Sequence, residues 1–151
     1  MIQDILIVCE GNICRSPMAQ GLMSSKAKAL RIRSAGLNAA IGQAPPKFAV
    51  DLMAERGIDI TGHLGTTLTL EHIRGADLIL AMTKLQQRRI EEKYPFSKGK
   101  AYRFCEHDGV DVVDPHRQDR GVFEMSLQQI ERGTSRWLEV IGRLTQKSND
   151  I

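Results

Sequence analysis

Cys9 and Arg15 lie on one short stretch, Val8-Cys9-Glu10-Gly11-Asn12-Ile13-Cys14-Arg15-Ser16-Pro17. Thiolate sulfur is a strong nucleophile, and a nearby cation or helix N-terminus favours that ionised form. A guanidinium grips two oxygens of a phosphate at once, which an ammonium cannot do. Gly11 allows close backbone approach, and Asn12 tolerates the left-handed conformation that a tight anion-cradling loop needs. Together these residues read as a phosphate-binding catalytic loop, with the backbone amides of residues 10–16 forming a concave nest.

Such a loop needs a strand to deliver it and a helix to receive it. Ile5-Leu6-Ile7-Val8 is a short β-branched run, as expected of a strand buried on both faces of a parallel sheet, and it carries Cys9 to the sheet's carboxyl edge. Ser16 reads as an N-cap and Pro17 as the first helical residue, so the helix dipole adds about half a positive charge at the loop. The helix is expected over 17–29, with Met18, Leu22 and Met23 on one face.

Further along, 30–34 reads as a second strand and 38–46 as a loop. Pro46 opens a helix with Phe48, Ala49, Leu52 and Met53 on one face, closed by Gly57. A short helix over 69–75 precedes a buried strand over 78–82. Thr83 and Gln86 form a capping box for a helix that Pro95 ends, and 101–104 is the fourth strand. The acidic loop 105–118 leads to a last helix over 120–146. Its Phe123, Leu127, Ile130, Trp137, Ile141 and Leu144 form a core-facing stripe, which makes the lone Trp137 a packing residue. Alternating strands and helices imply a three-layer α/β sandwich around a parallel sheet, with the ligand site outside the strand carboxyl ends.

At 151 residues the chain fits a single domain, 1–151, able to bury roughly two thirds of its unfolded surface. The net charge of +3 is mild and its Lys and Arg residues are dispersed, which argues against nucleic acid as a partner. Three cysteines, an odd number, argue against a disulfide framework and for a reducing compartment. No basic leader and no apolar run long enough for membrane insertion is present, so a cytoplasmic protein is expected.

Phosphate-ester cleavage by a thiolate also needs a proton donor for the leaving oxygen. Asp108, Asp111, Asp114 and Asp119 all lie on or beside the acidic loop and compete for that role, Asp114 being stiffened by Pro115.

The complete Cys-Glu-Gly-Asn-Ile-Cys-Arg-Ser-Pro run at 9–17 resembles the signature of the low-molecular-weight protein tyrosine phosphatases, and the resemblance covers nearly the whole chain. It implies the sheet order 2-1-3-4. It implies Cys9 as nucleophile, Arg15 as phosphate ligand, Ser16 as support for the thiolate, and Asp114 as the acid of an Asp-Pro pair. Glu10, Gly11, Asn12, Ile13 and Cys14 complete the phosphate-binding loop. Ser34, ending the second strand, and His63, in Ile60-Thr61-Gly62-His63, match residues that brace the loop asparagine. Cys14 is close enough in sequence to pair with an oxidised Cys9, or is simply a small buried side chain; Cys105 is read as structural. No cofactor and no metal are implied.

Two departures concern the pocket rim. His116 stands where many members of the family have tyrosine, and Ala39-Ala40 where many vertebrate members have a pocket aromatic. The closest likeness is to the bacterial branch, which implies a tyrosine-phosphorylated protein as partner, a tyrosine autokinase of capsule or exopolysaccharide assembly, with the chain a monomer or weak dimer. Arsenate reduction on this fold needs further redox cysteines, and 15–104 contains none. Protein-arginine phosphatases are closer, but there a threonine takes the place of Ile13. From a different class, a phosphocarrier domain of a sugar transport system also presents a cysteine after its first strand, yet needs neither Arg15 nor Asp114.

Overall fold

The computed structural model describes residues 1–149. Strand β1 (Asp4–Cys9) pairs in parallel with β2 (Arg31–Gly36) and β3 (Leu78–Ala81), and β3 pairs in parallel with β4 (Ala101–Arg103). The order is β2-β1-β3-β4, as the resemblance implied. Because side chains alternate across a strand, β1 feeds two cores. Ile5, Ile7 and Cys9 point to one, shared with Met18, Leu22 and Met23 of α1 (Arg15–Lys26), Leu52 and Met53 of α2 (Lys47–Glu55), and Phe123, Leu127 and Ile130 of α5 (Arg120–Asn149). Leu6 and Val8 point to the other, with Ile73 of α3 (Leu70–Gly75) and Ile90 of α4 (Lys84–Lys93). Burying each large aliphatic side chain is worth roughly 1.5–3 kcal/mol, so the central strand is firmly held and Cys9 with it. Among the described residues no helix is long and apolar enough to cross a membrane.

The elements depart from expectation in ways that bear on the site. Helix α1 begins at Arg15, with Cys14 at its N-cap position and no side-chain cap. Ser16 is therefore inside the first turn rather than capping it, and Pro17 follows where its missing N–H is still harmless. At the other end the helix stops at Lys26: Ala27 leaves helical geometry, and a Leu30 N–H to Ala27 carbonyl turn (3.1 Å) delivers the chain to β2. The helix-forming alanines yield to the need to return to the sheet. Phe48 is 37 % exposed, stacking at the edge on Phe123 (5.6 Å between rings), and Leu144 is 48 % exposed because α5 runs past the core there. The Thr83–Gln86 capping box forms as read.

Helix α5 fixes the segment that follows β4. Trp137 Nε1 donates to the Phe104 carbonyl (2.8 Å), and Gln129 Oε1 accepts from Val113 N–H (2.8 Å). Gly133 allows this approach, since a Cβ there would stand 2.6 Å from the fully buried Phe104 ring. Gly133→Ala gains up to about 1 kcal/mol of helix propensity but must displace a rigid ring, an overpacking cost of roughly 1–3 kcal/mol. A net loss of stability is expected, read as a lower urea midpoint at unchanged slope; a raised midpoint would refute the close packing.

Candidate active site

The β1–α1 loop curls so that Cys9 lies at its base. Asn12 is fully buried and left-handed (φ 57°), and its N–H donates back to the Cys9 sulfur at 3.2 Å. Ser16 Oγ lies 2.9 Å from the same sulfur. The amides of Gly11, Ile13, Cys14, Arg15 and Ser16 donate to no protein group among the described residues. They stand at a helix N-terminus, so donors and dipole favour an anion there.

Asn12 is braced on all sides. Its Nδ2 donates to Ser16 Oγ (2.7 Å) and Ser34 Oγ (3.0 Å), its Oδ1 accepts from Thr66 N–H (2.9 Å), and its carbonyl accepts from His63 Nε2 (2.7 Å). Ser34 reaches it because β2 runs beside β1, with Cys9 opposite Gly36 in the register. Thr66 reaches it because the 66–68 segment lies along β2, through Gly36 N–H to the Thr66 carbonyl (2.8 Å) and Leu68 N–H to the Gly36 carbonyl (2.9 Å). A left-handed non-glycine residue is costly, and this set of bonds holds it in place.

Arg15 is almost wholly buried. Its Nη1 donates to the Val112 carbonyl (3.0 Å), and its Nη2 lies 3.6 Å from Asp114 Oδ2. Val112 in turn donates its N–H to the Met82 carbonyl at the end of β3 (2.9 Å), so the sheet positions the acidic loop against the guanidinium. The Asp114 carboxylate is half exposed, and its Oδ1 accepts from His116 N–H (3.1 Å), a local turn that aims the carboxyl at the opening.

These groups enclose a pocket of about 320 Å³. Cys9, Ile13, Cys14 and Arg15 lie toward its base; Glu10, Ala39, Ala40, Asp114 and His116 line it as well. Asn38 also lines it, and sequence reasoning did not single it out. Its place just beyond the carboxyl end of β2 was the available signal. The other acids are occupied elsewhere. Asp111 accepts from Lys84 N–H (3.0 Å) and Arg103 (3.2 Å), Asp119 accepts from Val122 N–H (3.2 Å) at the start of α5, and Asp108 borders a separate groove with Arg132. Glu10 is held outward by Arg89 Nη1 (2.8 Å).

The rim is a backbone seam. Ala40 N–H donates to the Gly11 carbonyl (2.9 Å), Gly42 N–H to the Gly65 carbonyl (3.0 Å), and Gly65 N–H to the Gln43 carbonyl (2.9 Å). Gly65 passes so close to the Ala40 carbonyl that no Cβ fits between them.

All three cysteines are free and buried. Burial, reinforced by the neighbouring Cys9 and Asp114, pushes the Cys14 thiol up to about 12, and burial with Asp108 nearby pushes Cys105 up to about 11. Both therefore stay protonated and weakly nucleophilic at neutral pH. Cys105 also donates to the Gln129 carbonyl (3.3 Å).

Residues 4–147 match the family model described as low molecular weight phosphotyrosine protein phosphatase. The chain is 40 % identical to the probable low molecular weight protein-tyrosine-phosphatase EpsP of Ralstonia nicotianae, over 95 % of this chain and 99 % of that one. It is 34 % identical to the low molecular weight protein-tyrosine-phosphatase Wzb of Escherichia coli K12, over 93 % and 97 %. Among solved structures it is similar to the tyrosine phosphatase Wzb from Escherichia coli K30 in complex with sulphate (TM-score 0.89, 30 % identity, 93 % and 99 % covered). It is equally similar to the YwlE arginine phosphatase from Geobacillus stearothermophilus (TM-score 0.90, 31 % identity, 96 % of each chain covered). On the family match, the site geometry and these relatives together, the chain belongs to the low molecular weight phosphotyrosine protein phosphatases.

Proposed function

We propose that this chain hydrolyses phosphotyrosine on proteins through a phosphocysteine on Cys9. The observation that carries the reading is the Cys9 sulfur at the base of the pocket, held by the Asn12 N–H and the Ser16 hydroxyl, with the buried Arg15 and the half-exposed Asp114 in the same pocket. In the first step the Cys9 thiolate attacks phosphorus, forming the S–P bond as the P–O bond to tyrosine breaks. Arg15 and the free loop amides hold the equatorial oxygens, and Asp114 gives its proton to the departing phenolate. In the second step water attacks phosphorus, Asp114 takes the water proton, and inorganic phosphate leaves with the thiolate restored.

Tyrosine and arginine phosphatases share this fold, so the choice of substrate falls to the pocket's side chains. Ile13, Ala39 and Ala40 line the pocket with apolar surface, which suits a phenyl ring. A phosphoarginine guanidinium has N–H donors in its place, and the Ile13 side chain accepts none of them. With alanines at 39 and 40 and the smaller His116 ring where many relatives have tyrosine, the pocket grips the phenyl ring less than a fully aromatic-lined one would, and contacts with the surrounding protein substrate make up the difference. The partner implied by the bacterial branch is a tyrosine autokinase of exopolysaccharide or capsule assembly. Turnover on matched phosphotyrosine, phosphoarginine and phosphoserine peptides tests the reading: phosphotyrosine is expected to lead in kcat/KM, and a lead for phosphoarginine would replace it.

A further inference from the structure

We infer that Gln20 is a positioning residue for the reaction, acting through Ser34, Asn12 and Ser16 to keep the Ser16 hydroxyl hydrogen directed at the Cys9 sulfur; the inference rests on Cys9 being the nucleophile proposed above. Gln20 lies on α1, one turn beyond Ser16, and does not line the substrate pocket. It borders a different groove, of about 290 Å³, together with His63.

The direction of every bond in the chain follows from counting hydrogens. A hydroxyl has one to give and an amide nitrogen two. Thr66 N–H can only donate, so Asn12 Oδ1 must face it and Nδ2 must face the serines. Both Nδ2 hydrogens are then used, one on Ser16 and one on Ser34. Ser34, already accepting, has one hydrogen to place, and Gln20 Oε1 takes it at 2.5 Å. Gln20 can present that oxygen because its Nε2 is committed to the Ile32 carbonyl at 3.1 Å. At the other end Ser16, also accepting from Asn12, has its only hydrogen left for the Cys9 sulfur at 2.9 Å. Backbone groups of Thr66 and Ile32 thus set the polarity of five side chains in series.

The competing arrangement is an Asn12 amide turned over, with Oδ1 accepting from Ser34 and Ser16. That state would leave Cys9 without its hydroxyl donor just where a negative sulfur has to be held. Gln20 opposes it by occupying the Ser34 hydrogen. Without an acceptor at position 20 that hydrogen is available to Asn12 Oδ1, and the reversal is opposed only by the Thr66 N–H and by the lost Ser16–Cys9 contact.

The test is the rate at which iodoacetate alkylates Cys9 at neutral pH, with p-nitrophenyl phosphate turnover followed in the same samples and peptide mapping of the label. Gln20→Met removes the acceptor at similar volume, and Gln20→Ala gives the same measurement should the methionine variant not fold. Each is expected to slow alkylation and kcat roughly 2- to 12-fold, the span of one net hydrogen bond, with KM little changed. Gln20→Glu keeps an oxygen for Ser34 but loses the donor to the Ile32 carbonyl, so it should be slowed less than Gln20→Met. In a Ser16→Ala background, where no hydroxyl remains to be aimed, Gln20→Met should cost nothing further. Wild-type alkylation in the acceptor-less variants, an equal loss in Gln20→Glu, or a full additional loss on top of Ser16→Ala would overturn the role of Gln20 alone. Iodoacetate labelling of wild-type Cys9 that leaves turnover intact would instead overturn the nucleophile assignment and this inference with it.

Discussion

Cys9→Ser is expected to remove turnover on the order of a millionfold, the scale seen when a covalent hydrolase loses its nucleophile. The substitution is nearly isosteric, and a serine oxygen can still accept from the Asn12 N–H that now reaches the sulfur at 3.2 Å. The fold should survive. What is lost is the sulfur nucleophile of the proposed mechanism, because an alcohol gives up its proton far less readily than a thiol. Circular dichroism should match wild type while initial rates on p-nitrophenyl phosphate vanish. Turnover within roughly a hundredfold of wild type would place the nucleophile elsewhere.

Asp114→Asn should slow hydrolysis roughly 10²- to 10⁴-fold for poor leaving groups, the share of a well-placed general acid. Asparagine keeps the Oδ1 that accepts from the His116 N–H, so the turn at 114–116 is retained and only the proton is missing. Esters with acidic phenols need less help in leaving and should lose less. A uniform loss across a series of aryl phosphates would indicate a displaced loop instead. Asp111→Asn and Asp119→Asn serve as controls, since those carboxylates hold Lys84 and Arg103, and the start of α5. A larger rate loss in Asp119→Asn would move the acid to that position.

Local chemistry was legible in the sequence wherever neighbours along the chain decide it. The Thr83–Gln86 box needs only residues three apart, and it forms. The 9–17 run likewise carried its own strand, loop and helix signals. What the sequence could not show was how distant segments divide the same hydrogen bonds. Ser16 has the residue type and place of an N-cap, yet its hydroxyl is drawn to Cys9 and Asn12 and the helix starts two residues earlier than read, at Arg15. Gln20 looks like any polar residue on a helix until β2 brings Ser34 against it. Asn38 gains its place in the pocket from the seam between the loops after β2 and α2. Leu144 continues the apolar stripe of α5, but the core beneath it has ended. Ser34 and His63 could be tied to Asn12 only through resemblance, since the bonds that join them span 22 and 51 residues.

The closeness of Gly65 to the Ala40 carbonyl has a consequence for how this enzyme can diverge. The rim is fastened to the phosphate loop by main-chain bonds, through Ala40 N–H to the Gly11 carbonyl and the pairing of Gly42 with Gly65. Side chains at 39, 40 and 41 can therefore be exchanged without loosening Asn12 or shifting Cys9. Substitutions at the mouth of the pocket are expected to change KM between substrates while leaving turnover of a small aryl phosphate in place. Gly65 is the exception: any side chain there would wedge the seam apart and make the two properties change together.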